Sequence, residues 1–273
     1  MAGRRPAAAG RPPDPVAHKL QTGPATEHTG PPTIEAVELS KHFGGVQALR
    51  SASFTAWPGE VLAVVGGNGA GKSTLLKILA GVYPPDGGRL LVRGEPVHSH
   101  DVAMSRRLGI EMVYQDLGLV PNMDAAYNLF LGRTPRKWGI FVDRKTMLNK
   151  TREVVKSLGI TTLQDVTKPV EGMSGGQRQV LAIGRAVTWG KGVVILDEPA
   201  VALGVAETEQ VLQVVVDLKQ RGASILLVSH NLDHVFRVAD RILVMFQGNS
   251  IAEVKREEVT MDELVGWITA GVI

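Results

Sequence analysis

Three short stretches of this 273-residue chain space their residues in ways that suit phosphate chemistry. The first runs Gly66-Gly67-Asn68-Gly69-Ala70-Gly71-Lys72-Ser73-Thr74 and fits the loop G-x-x-x-x-G-K-[ST]. Its glycines let successive backbone N–H groups turn inward around an anion, and a helix starting there adds its positive end. Lys72 would neutralise β- and γ-phosphates, and the Ser73 hydroxyl would ligate Mg²⁺. The second stretch, Val193-Val194-Ile195-Leu196-Asp197-Glu198-Pro199, is an apolar strand ending in two carboxylates. At the ligand edge of a parallel sheet, Asp197 can hold Mg²⁺ directly or through water. Glu198, one residue on, can orient and deprotonate an attacking water. The third stretch, Met173-Ser174-Gly175-Gly176-Gln177, opens a helix: Ser174 suits the N-cap, and the two glycines leave N–H groups bare at a positive helix end. A second anion site so far along the chain is most simply explained if each site serves a different bound nucleotide.

These residues need elements to hold them. Ile34–Leu39 alternates like a strand, Phe54 sits in a short second one, and Val61–Val65 is apolar throughout, as a buried strand is. The glycine loop leads into a helix over Ser73–Ala80, and strands are expected at Arg89–Arg93 and Ile110–Gln115. Helices follow at Ala125–Leu131, Arg144–Leu158 and Gln177–Ala186, then strands Val193–Leu196, Ile225–Ser229 and Ile242–Phe246, with helices Ala206–Arg221 and Leu232–Val238 between them. Strand alternating with helix means an α/β fold with a parallel sheet covered on both faces. The helical stretch, approximately 116–188, reads as an inserted lobe of its own. Residues 1–32 hold seven of the fifteen prolines, show no hydrophobic periodicity and read as a flexible extension to a domain over 33–273.

Composition narrows the function. With no cysteine there is no disulfide framework, no thiolate metal site and no cysteine nucleophile. The isoelectric point is 9.2, but the formal excess is only +3. Most of that excess lies in the extension, where Arg4, Arg5, Arg11 and Lys19 face only Asp14 and Glu27. A nucleic-acid surface needs a basic patch on the folded body, and none is visible. No apolar run approaches the ~20 residues that span a bilayer, and no apolar segment follows the first arginines as in a secretory signal. The chain alone is therefore expected to be soluble and intracellular.

From about Ile34 onward the chain resembles the ATP-binding subunit of ABC transporters. Met173–Gln177 is similar to that family's LSGGQ signature, with Met for Leu. The resemblance implies a P-loop NTPase core with an N-terminal antiparallel β subdomain and an inserted α-helical subdomain. It implies a head-to-tail dimer with two ATP molecules between subunits, each touching the phosphate loop of one and Ser174 and Gly176 of the other. Through it Phe43 stands where an aromatic stacks on adenine. Gln115 resembles the glutamine that contacts Mg²⁺ and the attacking water, and His230 the switch histidine that bonds the γ-phosphate. One departure matters: after Glu198-Pro199 the family usually continues toward S-A-L-D, whereas here Gly204 replaces the aspartate that communicates across the dimer.

Two features resemble importers of monosaccharides, the ribose, xylose, fructose and galactose group. One is Leu108–Leu117 followed by Asn122–Gly132; the other is Ala202-Leu203-Gly204 after the paired acids. Many relatives in that group fuse two ATPase modules in one chain. This chain holds one, so a second copy or a paralogue would join it beneath membrane permease subunits at the cytoplasmic face. An extracytoplasmic sugar-binding protein would deliver the cargo, with no nucleic acid involved. A ribosome-acting ABC protein would carry two modules, and a chromosome-associated head would need a long coiled coil between Lys72 and Ser174. A scaffold version would be expected to lose Lys72, Glu198 or His230. An exporter, or a transporter of another cargo, shares every one of these motifs and stays open at this stage.

Overall fold

The computed structural model describes residues 30–273, apart from 99, 160–162, 164 and 191. The expected extension therefore falls, up to residue 29, outside the described residues. In chain order the strands are β1 (Ile34–Phe43), β2 (Val46–Ala56), β3 (Val61–Gly66), β4 (Gly87–Val92), β5 (Glu95–Pro96), β6 (Ile110–Val113), β7 (Arg136–Lys137), β8 (Phe141–Val142), β9 (Val193–Asp197), β10 (Ser224–Val228), β11 (Arg241–Phe246) and β12 (Asn249–Lys255). The helices are α1 (Lys72–Leu79), α2 (Val102–Arg107), α3 (Ala125–Leu129), α4 (Arg144–Ser157), α5 (Gly175–Trp189), α6 (Val205–Gln220), α7 (Leu232–Val238) and α8 (Met261–Ala270).

Ten strands form one sheet in the order β5-β4-β1-β2-β12-β11-β3-β10-β9-β6. The sheet is mixed, with a parallel core and antiparallel strands on its N-terminal side, as expected for this fold. The stretch β11-β3-β10-β9-β6 is parallel, while β1 pairs antiparallel with both β2 and β4, and β11 with β12. Short turns account for the antiparallel pairs, because β1–β2 and β11–β12 are hairpins with no helix to carry a crossover. β1 and β2 also run well past Ile34–Leu39 and the neighbourhood of Phe54, and β6 stops at Val113, leaving Gln115 in the loop beyond.

The parallel strands read as unbroken apolar runs because alternate residues feed opposite faces. Leu62, Val64, Ile195, Leu226 and Val228 pack with Leu75, Leu76, Ile78 and Leu79 of α1 and with the inner side of β1, β2 and β4. Val194, Leu196, Ile225 and Leu227 pack on the other side with α5 and α6. Leu62 is fully buried beneath α1, so Leu62→Ala is expected to cost about 3 kcal/mol of stability. Urea unfolding should show this as a lower midpoint at unchanged slope.

Between β6 and α5 the chain is mainly helical, with a small core of Ala126, Leu129, Phe130 and Met147 closed by Trp189. A two-stranded hairpin, β7–β8, lies within this mainly helical stretch. It carries Trp138, Ile140 and Phe141 at 89%, 71% and 61% exposure, with the Trp138 and Phe141 rings edge to face.

Candidate functional site

Strands β3, β10, β9 and β6 lie side by side and parallel, so their carboxyl ends open on one edge. That edge collects the glycine loop after β3, His230 after β10, Asp197 and Glu198 at the end of β9, and Gln115 after β6. Residues spread over more than a hundred positions of sequence thus meet along one line, the usual ligand position of such sheets.

The loop from Gly66 to Lys72 is built for close backbone approach. Gly66 has φ +154°, and a Cβ there would come within 2.3 Å of the Met245 carbonyl oxygen. Gly71, at φ +101°, caps α1 and would drive a Cβ to 2.9 Å from the Ala48 carbonyl oxygen on β2. Both positions are left-handed and crowded, so only glycine fits without moving the strand behind it. Lys72 Nζ folds back across the loop and donates to the Gly66 and Gly67 carbonyls at 2.7 and 3.0 Å. Burial lowers the Lys72 pKa, opposed by the carboxylates of Glu198 and Asp197. An anion in the loop would offer this half-buried cation a stronger partner than two neutral carbonyls.

Asp197 feels the reverse. Burial raises its pKa, the Glu198 charge adds to the rise, and Lys77 and Lys72 offset part of it. Its oxygens and the exposed Ser73 hydroxyl at the start of α1 are hard donors of the kind Mg²⁺ selects. No group of three or more acidic, His or Cys side chains able to hold a metal exists among the described residues. These two residues therefore fit a Mg²⁺ that takes its remaining ligands from water and phosphate, which is how that ion is usually held.

Glu198 adopts φ +53° and donates its N–H to the Val228 carbonyl at 3.0 Å. That bond ties the end of β9 to the end of β10 and brings His230 alongside: His230 Nδ1 lies 2.8 Å from Glu198 Oε2, and the His230 N–H donates to the same oxygen at 3.3 Å. The Glu198 side chain is largely covered while the His230 ring stays 67% exposed. A carboxylate shielded on one side and paired with an exposed imidazole is a group that can accept a proton from water at this edge.

Gln115 is exposed in the loop past β6. Two residues that sequence reasoning missed hold the chain downstream of it. Arg185, on α5, donates to the Leu117 and Gly118 carbonyls at 2.6 and 2.9 Å. Asn128, fully buried, accepts from the Val120 N–H and donates to the Val120, Met123 and Asp124 carbonyls. Arg185 thereby fastens the loop after Gln115 to α5. The Arg185 contact needs the fold to bring in partners 67 and 68 residues away, whereas Asn128 bonds only to residues four to eight positions before it.

Ser174 caps α5 as expected, with Gln177 completing a reciprocal capping box. Gly175 and Gly176 are the first two helical residues, and α6 packs so close that a Cβ at Gly176 would meet Glu207 at 2.9 Å. Gly204 is the N-cap of α6. Phe43 ends β1 with a 41% exposed ring, edge to face with Tyr83 at 5.0 Å. Lys41 and Asp86 pair beneath it, and Asp86 also accepts from the His42 N–H at 2.6 Å, holding the platform in place. The structure therefore gathers Gly66–Thr74, Gln115, Asp197, Glu198 and His230 along one edge, and puts Ser174–Gln177 at a separate helix end beside α6.

The chain is similar to known proteins over most of its length. A family model described as "ABC transporter" matches residues 49–201. The chain is 43% identical over 244 residues to a fructose import ATP-binding protein of Rhizobium meliloti, spanning 87% of this chain and 94% of that one. It is 40% identical over 237 residues to a xylose/arabinose import ATP-binding protein of Sulfolobus acidocaldarius, spanning 87% and 94%. Against a ribose import ATP-binding protein of Corynebacterium glutamicum it is 38% identical, spanning 88% of this chain but 45% of that protein. Among solved structures, a nucleotide-free ATP-binding cassette from an ABC transporter superposes with a TM-score of 0.76 at 26% identity, covering 86% of this chain and 95% of that one.

Proposed function

The chain belongs to the ABC transporter family as an ATP-hydrolysing subunit, and we propose that it powers import of a monosaccharide through a partner permease. The observation that carries this reading is the 43% identity to a fructose import ATP-binding protein, spanning 87% of this chain and 94% of that one. The sugar itself would not touch this chain. Its specificity would lie with the permease and an extracytoplasmic binding protein.

In this reading the loop amides of Gly66–Lys72 and the Lys72 ammonium bind the ATP phosphates, and Phe43 takes the adenine ring on its exposed face. Mg²⁺, when bound at Ser73 and Asp197 with Gln115 near, would neutralise charge developing on the transferred phosphoryl group. Glu198 orients water and takes its proton, while His230 leaves Glu198 to bond the γ-phosphate. A second subunit, a copy or a paralogue, would supply Ser174 and Gly176 across the nucleotide, so that ATP closes the pair and hydrolysis reopens it. The lobe at about 116–188 would receive the permease, and the fastening of the Gln115 loop to α5 by Arg185 would pass movement between permease and nucleotide. No described helix is long and apolar enough to cross a membrane, so the permease would supply the span and hold this subunit on its cytoplasmic side.

The test is uptake of labelled pentoses and hexoses by cells lacking this chain. One sugar is expected to stop entering, and to enter again when the chain is restored but not when Lys72→Ala is. Normal uptake of every sugar in the deleted strain would overturn the import reading.

A further inference from the structure

Glu207 lies at the third position of α6, and its Oε2 accepts from the Gly204 N–H at 3.3 Å to complete that helix's cap. The same carboxylate lies against the start of α5, its Oε2 3.8 Å from where a Cβ at Gly175 would stand and its carboxyl carbon 3.3 Å from one at Gly176, with the Ser174 hydroxyl and the Gly176 N–H as the neighbours that lower its pKa. Its stem is packed against that turn, since a Cβ at Gly176 would meet Glu207 Cβ and Cγ at 2.9 and 3.0 Å. One acidic side chain thus closes the N-termini of two helices. It faces donors that a phosphate would otherwise take, and Ser174, Gly176 and Gly204 together hold its carboxyl below the usual glutamate range.

We propose that Glu207 is a stand-in anion for the signature helix: in the separate subunit it occupies Ser174 and Gly176, and it must give them up when a nucleotide held by a second subunit arrives. This rests on the two-subunit reading above. Ser174 has one hydroxyl proton, which cannot be donated to Glu207 and to a γ-phosphate at once. Two anions at one helix end also repel each other. Glu207 is therefore a positioning residue that sets the ATP concentration at which the pair closes. Its displacement breaks the bond to the Gly204 N–H, so arrival of the phosphate is felt at the turn where the family's aspartate is missing.

Glutamine serves the same capping position, so Glu207→Gln removes the charge and keeps the cap. The measurement is the ATP concentration giving half-maximal dimer in a Glu198→Gln background, followed by sedimentation. With two such sites per dimer, Glu207→Gln is expected to lower it about tenfold and to slow dissociation of the dimer on dilution. Glu207→Ala, which loses charge and cap together, is expected to lower it too while melting earlier. An unchanged or higher concentration for Glu207→Gln, or a higher one for Glu207→Ala, would mean that Glu207 only supports α6 and would overturn the proposal. Failure of the parent with Glu207 intact to dimerise with ATP would instead overturn the two-subunit reading, and this inference with it.

Discussion

Glu198→Gln is expected to bind ATP at least as tightly as the parent while its turnover falls by a factor of about 10² or more. General-base catalysis contributes about 10²–10⁴-fold, and an amide oxygen cannot take the proton of the attacking water. The geometry gives little reason for collateral damage. Glutamine has the same shape, tolerates φ +53° as glutamate does, and still offers an oxygen to the His230 N–H and ring. The carboxylate also raises the pKa of neighbouring Asp197, so its removal favours the ionised Asp197 that a cation requires. Bound ATP should therefore persist, and a dimer trapped around it should accumulate on sizing columns. Phosphate release at the parental rate would remove Glu198 from the mechanism.

Lys72→Ala is expected to fail one step earlier, at binding. Hydrogen bonds to charged groups contribute about 1.5–3 kcal/mol each, so losing those from one ammonium to two phosphates should weaken ATP by about a hundredfold or more. The fold should survive, because the Gly66 and Gly67 carbonyls that Lys72 now satisfies are partly open to water. Titration with a fluorescent nucleotide, beside an unchanged melting curve, checks both statements. Affinity within about twofold of the parent would mean that the loop amides alone hold the phosphates. The two variants separate cleanly, since one keeps nucleotide without turnover and the other loses both.

The parts of the site legible in sequence are those whose chemistry is written in consecutive residues. The loop at Gly66–Thr74 follows a strand buried on both faces and opens a helix, and Ser174 caps α5 through a box closed three residues later by Gln177. Local rules suffice there. They also sufficed, unused, at α8, where Thr260 and Glu263 form the same kind of box. The antiparallel half of the sheet was legible through the family resemblance, while the full length of β1, with its register shifts against β2 after Ala36, was not. Arg185 and Glu207 could not be seen at all: each does its work on residues far away in sequence, and a lone Arg or Glu on a helix carries no mark of a distant carbonyl or helix end.

The hairpin β7–β8 gives the chain a built-in optical reporter. Of the four tryptophans, Trp57, Trp189 and Trp267 are at least partly covered by the fold, while Trp138 stands almost wholly in water. Its emission is expected at the red edge of the spectrum, and acrylamide should quench it first. Light from that one ring can therefore be followed without labels and without disturbing the nucleotide edge, and it registers any event at the hairpin.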